Sequence, residues 1–203
     1  MSNIGWYDGY LKELGSKLES IQAGLTPNEK RWLYEAAMSL PENGVYIEVG
    51  TDYGGSAFIV SEANPTLTVF SIDPLNGKSK RKRFLKKRFA DRLDRVHFVS
   101  HKSIDAEEYA LNYLRTKLSD LPIADMIFLD GAHTAELITR EIELYHPLLR
   151  QGGMLCGHDY HRIFHSRKRY SKAVRDGLQK LGLRMWVFDR IWYTIVTGEV
   201  GCR

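Results

Sequence analysis

The chain has 203 residues, of which 43% are hydrophobic and 27% charged; this suffices for one sizeable core, is short for two independent enzyme domains, and excludes disordered or collagen-like classes. Two cysteines, Cys156 and Cys202, exclude a disulfide framework or a thiolate zinc site, and both are expected as free thiols. The net charge of +4 is concentrated: residues 78–95 hold ten Lys and Arg against Asp91 and Asp94, so the remainder is about −4 and any basic surface is a single patch.

There is no apolar run of about 18 residues, and the start lacks the basic-then-apolar layout of a leader, so a cytoplasmic location without a membrane partner is expected. Tyr7, Leu11, Leu14, Leu18 and Ile21 recur at steps of three and four and predict a first helix, which Gly24 stops. Thr26-Pro27-Asn28-Glu29 forms a capping box with proline at the first helical position, opening a second helix through Trp32, Leu33, Ala36 and Ala37. Residues 1–40 are therefore expected to act as a helical flap on a single domain spanning 1–203.

Beyond this point short apolar runs alternate with amphipathic segments, the pattern of βα units feeding a doubly wound, mostly parallel sheet. Strands are predicted at 45–49, 68–72, 96–99, 126–129, 154–156, 184–188 and 192–196. The predicted helices are 56–63, 80–92, 106–117 (with Asp105 to Glu108 as its cap), 135–149 and 168–181. In the helix at 80–92, Phe84, Leu85 and Phe89 mark the buried side. Only a few residues around Asp189 and Arg190 separate the last two strands, too few for a crossover helix, so that pair must be antiparallel.

The first strand ends in Glu48-Val-Gly50-Thr51-Asp-Tyr-Gly54-Gly55-Ser56. Ligands of open α/β sheets bind at the carboxyl ends of strands, and Gly50 and Gly54 would let one approach the backbone closely. The spacing is neither the dinucleotide fingerprint nor a P-loop, so a ligand without a pyrophosphate fits better. Asp73 ends the second strand 25 positions after Glu48, where a carboxylate can accept the ribose hydroxyls of an adenosine. Asp130 and His133 follow the fourth strand, and His158, Asp159, Tyr160 and His161 follow the fifth. Adjacent parallel strands lie about 4.8 Å apart, so Asp130 and Asp159 could share a cation.

These residues resemble class I S-adenosylmethionine-dependent methyltransferases, in particular the sugar and catechol-type O-methyltransferases. The resemblance spans about residues 45–160 and rests on the joint occurrence of Glu48 with Gly50, Asp73, Asp130 and Asp159 at successive strand ends. It implies a Rossmann-like sheet of order 3-2-1-4-5-7-6 and S-adenosyl-L-methionine held by Glu48, Gly50, Thr51, Gly54, Ser56, Asp73, Ser103 and Asp130. The usual Gly-Asp before Ser103 is replaced by His101-Lys102. It also implies a divalent metal, Mg²⁺ or Mn²⁺, on Asp130 and Asp159. Tyr160 stands where the subgroup offers Asp or Asn as a further ligand, which leaves His158 or His161 as substitutes. His133, His158 and Asp159 become the catalytic candidates, a histidine taking the proton of a hydroxyl.

The leading expectation is O-methylation of a small hydroxylated or sugar-containing substrate, anionic or glycosidic. RNA methylation through the basic segment stands second and would need a broader footprint with aromatic stacking. A non-catalytic nucleotide-binding protein stands third, and an iron- and oxygen-dependent hydroxylase on the same scaffold is a further reading. The amphipathic first helix could equally serve a homo-oligomer.

Overall fold

The computed structural model describes residues 4–102, 123–131, 133–160 and 167–196. In chain order the elements are α1 (Ile4–Ser20), α2 (Pro27–Met38), β1 (Val45–Val49), α3 (Gly55–Ala63), β2 (Thr68–Ile72), α4 (Ser79–Arg88), β3 (Val96–Val99), β4 (Ala124–Leu129), α5 (Ala135–Tyr145), a 3₁₀ turn (His146–Leu148), β5 (Leu149–Gly157), α6 (Arg167–Lys180), β6 (Trp186–Phe188) and β7 (Ile191–Ile195). The helix expected at 106–117, its cap, Ser103, His161 and Cys202 lie outside the described residues.

The seven strands form one sheet in the order β3-β2-β1-β4-β5-β7-β6. β1 pairs in parallel with β2 and β4, whereas β7 runs antiparallel between β5 and β6. A two-residue turn joins Phe188 to Ile191, and Asp189 takes the left-handed conformation there, with φ 52°. Parallel strands need both faces covered, and the alternation along β1 and β4 shows how this is met. Val45, Ile47, Val49, Ile127 and Leu129 face a core closed by Ile138, Ile142 and Tyr145 of α5 and by Tyr170, Val174 and Leu178 of α6. Tyr46, Met126 and Phe128 face the opposite core, closed by α1 to α4.

Leu14, Leu18, Leu33 and Ala37, from the segment expected as a flap, are buried in that second core. The capping box of α2 forms as the sequence indicates: the Glu29 amide donates to Thr26 Oγ1 at 3.2 Å and the Thr26 amide to Glu29 Oε2 at 2.7 Å. Cys156 is buried and unoxidised, donating to the Ile127 carbonyl at 3.2 Å. Among the described residues no helix is long and apolar enough to cross a membrane.

Several boundaries differ from those predicted. The helix expected over 135–149 ends at Tyr145 and tightens into the 3₁₀ turn, because Pro147 has no amide hydrogen to give and its ring crowds the preceding turn. β5 begins at Leu149 and β4 at Ala124, earlier than expected; their glycines and charges hide a strand that pairing supports. β6 is confined to Trp186–Phe188. On α4, Leu85 and the following Phe89 are buried but Phe84 is 40% exposed, which corrects the expected buried side of this helix.

Candidate active site

The loop after β1 is built for close approach. Gly50 has φ +96°, and a Cβ there would lie 2.6 Å from the Asp130 carbonyl oxygen; the adjoining crossing at Gly131 is as tight, since its Cβ would meet Val49 Cγ1 at 2.8 Å. Gly54, with φ +71°, opens α3. Gly50 and Gly54 favour glycine because a side chain would be strained in φ and would crowd its neighbours as well, whereas at Gly131 the close contact alone excludes a Cβ.

A buried polar web supports the loop from below. Glu48 is fully buried and its carboxylate accepts from Ser71 Oγ at 2.6 Å, Ser56 Oγ at 2.7 Å and Tyr46 OH at 3.3 Å. Burial raises its pKa, and although these hydroxyls pull it back it remains at about 7. Ser71 and Thr51 hydroxyls are 2.6 Å apart, and Asn76 Nδ2 donates to Thr51 Oγ1 at 2.9 Å and to the carbonyls of Ser71 and Val99. Glu48, Thr51 and Ser56 thus stand beneath the loop. Ser71 and Asn76 were not legible as members of this web, because a serine inside a strand and an asparagine after it are common in any protein.

Asp73 stands at the rim. Its carboxylate accepts from the amides of Thr51, Asp52 and Leu75 at 3.2, 3.3 and 2.7 Å and from Arg81 Nη1 at 3.3 Å. Beside it lies a cleft of about 510 Å³, bordered by Gly50, Asp73, Leu75, Lys102, Gly131 and Glu141 among others. Its place over the ends of β1, β2 and β4 is where an open sheet takes a ligand. Glu141 is buried on the apolar stripe of α5 with Ile138, Ile142 and Tyr145; an acid on such a stripe was a legible signal that the sequence reading missed.

At the ends of β4 and β5 the structure brings Asp130, His133 and Asp159 together, with one ligand atom of each within 4.8 Å of the others. His133 Nδ1 lies 3.0 Å from Asp159 Oδ2. Asp159 holds φ 66°, a left-handed conformation uncommon for a side-chain-bearing residue. α6 steadies this turn: Tyr170 OH donates to the His158 carbonyl at 3.1 Å, and Ser171 Oγ donates to the Tyr160 carbonyl. Tyr160 OH accepts from Arg175 at 3.3 Å, and among the described residues His133 is the histidine grouped with the two carboxylates.

His158 has a different part. It is buried, with Nδ1 3.4 Å from Asp130 and 3.5 Å from Asp159, and Nε2 3.2 Å from Glu29. Burial opposes its charge, but hydrogen bonds to Asp130 and Glu29 outweigh burial and raise its pKa to about 9. A protonated imidazole has no lone pair to take a proton, so the raised pKa sets His158 apart from His133, the other histidine expected as a base. Glu29 also accepts from Arg190 Nη2 at 2.6 Å and Nε at 2.9 Å. Burial would raise its pKa, yet His158, Arg190 and the Thr26 amide hold it well below the usual carboxylate range. Glu29 and Arg190 are linked to the site only through folding, 129 and 32 positions from His158, and read locally as a cap and a turn.

A seven-stranded sheet of this order, with a glycine loop after β1 and acids after β2 and β4, defines a class I methyltransferase fold. A family model described as a methyltransferase domain matches residues 47–160, more than half of the chain, and the protein belongs to that family. Protein R132 of Acanthamoeba polyphaga mimivirus is 25% identical over 139 residues, 67% of this chain and 58% of that one; the chain thus matches less than two thirds of that relative's length. Solved structures share the fold at lower identity. A Corynebacterium glutamicum protein has a TM-score of 0.69 at 15% identity, covering 98% of this chain and 99% of its own. Cofactor-bound Rv0187 from MTB has 0.63 at 19%, covering 91% and 87%. CalS11, a TDP-rhamnose 3′-O-methyltransferase of calicheamicin biosynthesis, has 0.61 at 14%, covering 91% and 93%.

Proposed function

We propose that the chain methylates a hydroxyl of a small, sugar-containing or otherwise hydroxylated acceptor at the edge formed by Asp130, His133 and Asp159. The observation that carries this reading is the convergence of these three side chains beside the cofactor cleft. A hydroxyl is a weak nucleophile until its proton is taken or its alkoxide is stabilised, and a histidine oriented by a carboxylate is suited to the first task.

S-adenosylmethionine, when bound, supplies the electrophilic methyl group. The cleft fits it: Gly50 and Gly131 border it with bare backbone, and Asp73 offers acceptor oxygens at the ribose position. Arg81 and the loop amides hold the Asp73 carboxylate in place. Asp130 has its backbone carbonyl against Gly50 and its carboxylate 3.4 Å from His158 Nδ1. The imidazole of His158 lies between Asp130 and Asp159 and limits their motion.

The donor set also fits a divalent cation. Asp130, Asp159 and His133 would hold it, with two carboxylates suiting Mg²⁺ and the imidazole tilting preference toward Mn²⁺. Such an ion supplies positive charge that acidifies a bound hydroxyl. CalS11 acts on a TDP-sugar, which supports a glycosidic acceptor as the first class to try.

Transfer of labelled methyl to a panel of sugar hydroxyls, with chelator or with added Mg²⁺ or Mn²⁺, tests the reading. Cation-stimulated turnover makes His133 a ligand; turnover indifferent to chelator makes it the base. In either case Asp159→Ala should lower turnover by 10²-fold or more, the usual scale for an acid–base group, while S-adenosylhomocysteine still binds. Transfer to no hydroxyl, or full activity in Asp159→Ala, sinks the proposal.

A further inference from the structure

Helix α4, with the sequence SKRKRFLKKR, carries no acidic residue. Two of its arginines are satisfied: Arg81 by Asp73 and Asp52, and Arg88 by the Tyr53 carbonyl. Lys78, Lys80, Lys82, Arg83, Lys86 and Lys87 form no ion pair among the described residues. Basic side chains crowd the positive end of the helix dipole, and Lys78, Lys82 and Lys86 repeat at the four-residue spacing where like charges repel. Such an element is stabilised by an external counter-charge.

An aromatic pair stands at the same place. Tyr53 and Phe84, 44% and 40% exposed, meet edge to face with centroids 5.3 Å apart, and the Arg81 guanidinium lies 5.3 Å from the Tyr53 ring. With Leu75, Lys78 and Lys80 they border a cavity of about 370 Å³, and Leu75 also borders the cofactor cleft.

We propose that α4 with Tyr53 and Phe84 is a docking surface for single-stranded nucleic acid, phosphates lying along the basic side chains and a base seated on the aromatic pair. Backbone-tracking cations with an exposed stacking platform are the two components such binding requires. A helix of ten residues is about 15 Å long, and cations spread over that length exceed what one small anion engages. A membrane surface fits poorly, because an interfacial helix needs an open apolar stripe and Leu85, with the adjoining Phe89, is already buried in the core. The surface goes beyond the hydroxyl-transfer reading and does not depend on which acceptor is methylated.

The experiment is fluorescence anisotropy of a labelled oligouridylate with the S-adenosylhomocysteine-loaded full chain, titrated with salt from about 50 mM upward. Binding should weaken with salt at a slope near −0.7 per phosphate contacted, and the triple variant Lys80→Glu, Arg83→Glu, Lys87→Glu, on the helix face that carries Phe84, should reduce that slope by about 2. Tyr53→Ala with Phe84→Ala should weaken binding roughly tenfold at little change in slope. Circular dichroism and S-adenosylhomocysteine calorimetry on the triple variant report its folding and cofactor site, so a lost cofactor site is told apart from a lost docking surface. No binding at low salt, undiminished binding by the folded triple variant, or equally tight binding of phosphatidylserine vesicles or polyglutamate would overturn the proposal.

Discussion

Asp73 serves the loop and the cleft at once. Three backbone amides and Arg81 converge on its carboxylate, so its position is set before any ligand arrives, and an acceptor fixed in advance loses little entropy on binding. Asp73→Ala should therefore weaken S-adenosylhomocysteine binding by about 1.5–3 kcal/mol, the usual worth of hydrogen bonds to a charged group. Calorimetry on the folded variant checks this, and an unchanged affinity would remove Asp73 from the cofactor site. Glu48 offers the contrast: also a carboxylic acid and only two residues before the key glycine, it is sealed beneath the loop by three hydroxyls. The two acids look alike as strand-end residues; what separates them is that Glu48 lies inside β1, under the loop, whereas Asp73 lies just past the end of β2, at the rim.

At the scale of elements, α5 links packing to the site. Thr134 caps it by accepting from the Leu137 amide at 3.3 Å, and the first turns carry Leu137 and Glu141 to the cleft. Loss of such a cap costs about 1 kcal/mol, so Thr134→Ala should lower stability by that amount in urea unfolding. A change below about 0.3 kcal/mol would show that packing of Ile138, Ile142 and Tyr145 sets the helix start unaided. The sheet itself was legible, because buried parallel strands read as apolar runs and the short link at Asp189 and Arg190 permits only a hairpin. The acids after β2, β4 and β5 were legible too, since strand ends are where such sheets bind ligands. Contacts made across the fold were not: Glu29 on His158 is invisible to any local pattern, and Phe84 looked like part of an apolar stripe until Leu85 and Phe89 proved sufficient to cover the core.

Across the whole molecule, the buried ionisable groups set a stability profile with a defined direction. Glu48 has a folded pKa of about 7, above its ordinary 4.5, so the folded state holds that proton more tightly; its contribution is complete below pH 4.5 and is lost as pH rises through 7. His158, raised from 6.5 to about 9, contributes fully below pH 6.5 and loses its contribution as pH rises through 9. Glu29 and Glu62 are lowered by their hydrogen-bonded cations, despite burial, and act oppositely: their contribution is present above pH 4.5 and fades as pH falls. Each raised group amounts to roughly 3 kcal/mol, from 1.36 kcal/mol per pKa unit. The urea midpoint should therefore be highest near about pH 4.5–5, where both sets contribute, and decline in two stages toward pH 9.5. Glu48→Gln should flatten the first stage alone, since the amide keeps the shape and the surrounding hydroxyls can reorient, leaving the variant more stable than the native chain at pH 8. A native midpoint that rises between pH 5 and 7, or a Gln variant that keeps the first stage, would show that Glu48 titrates at its ordinary value inside the fold.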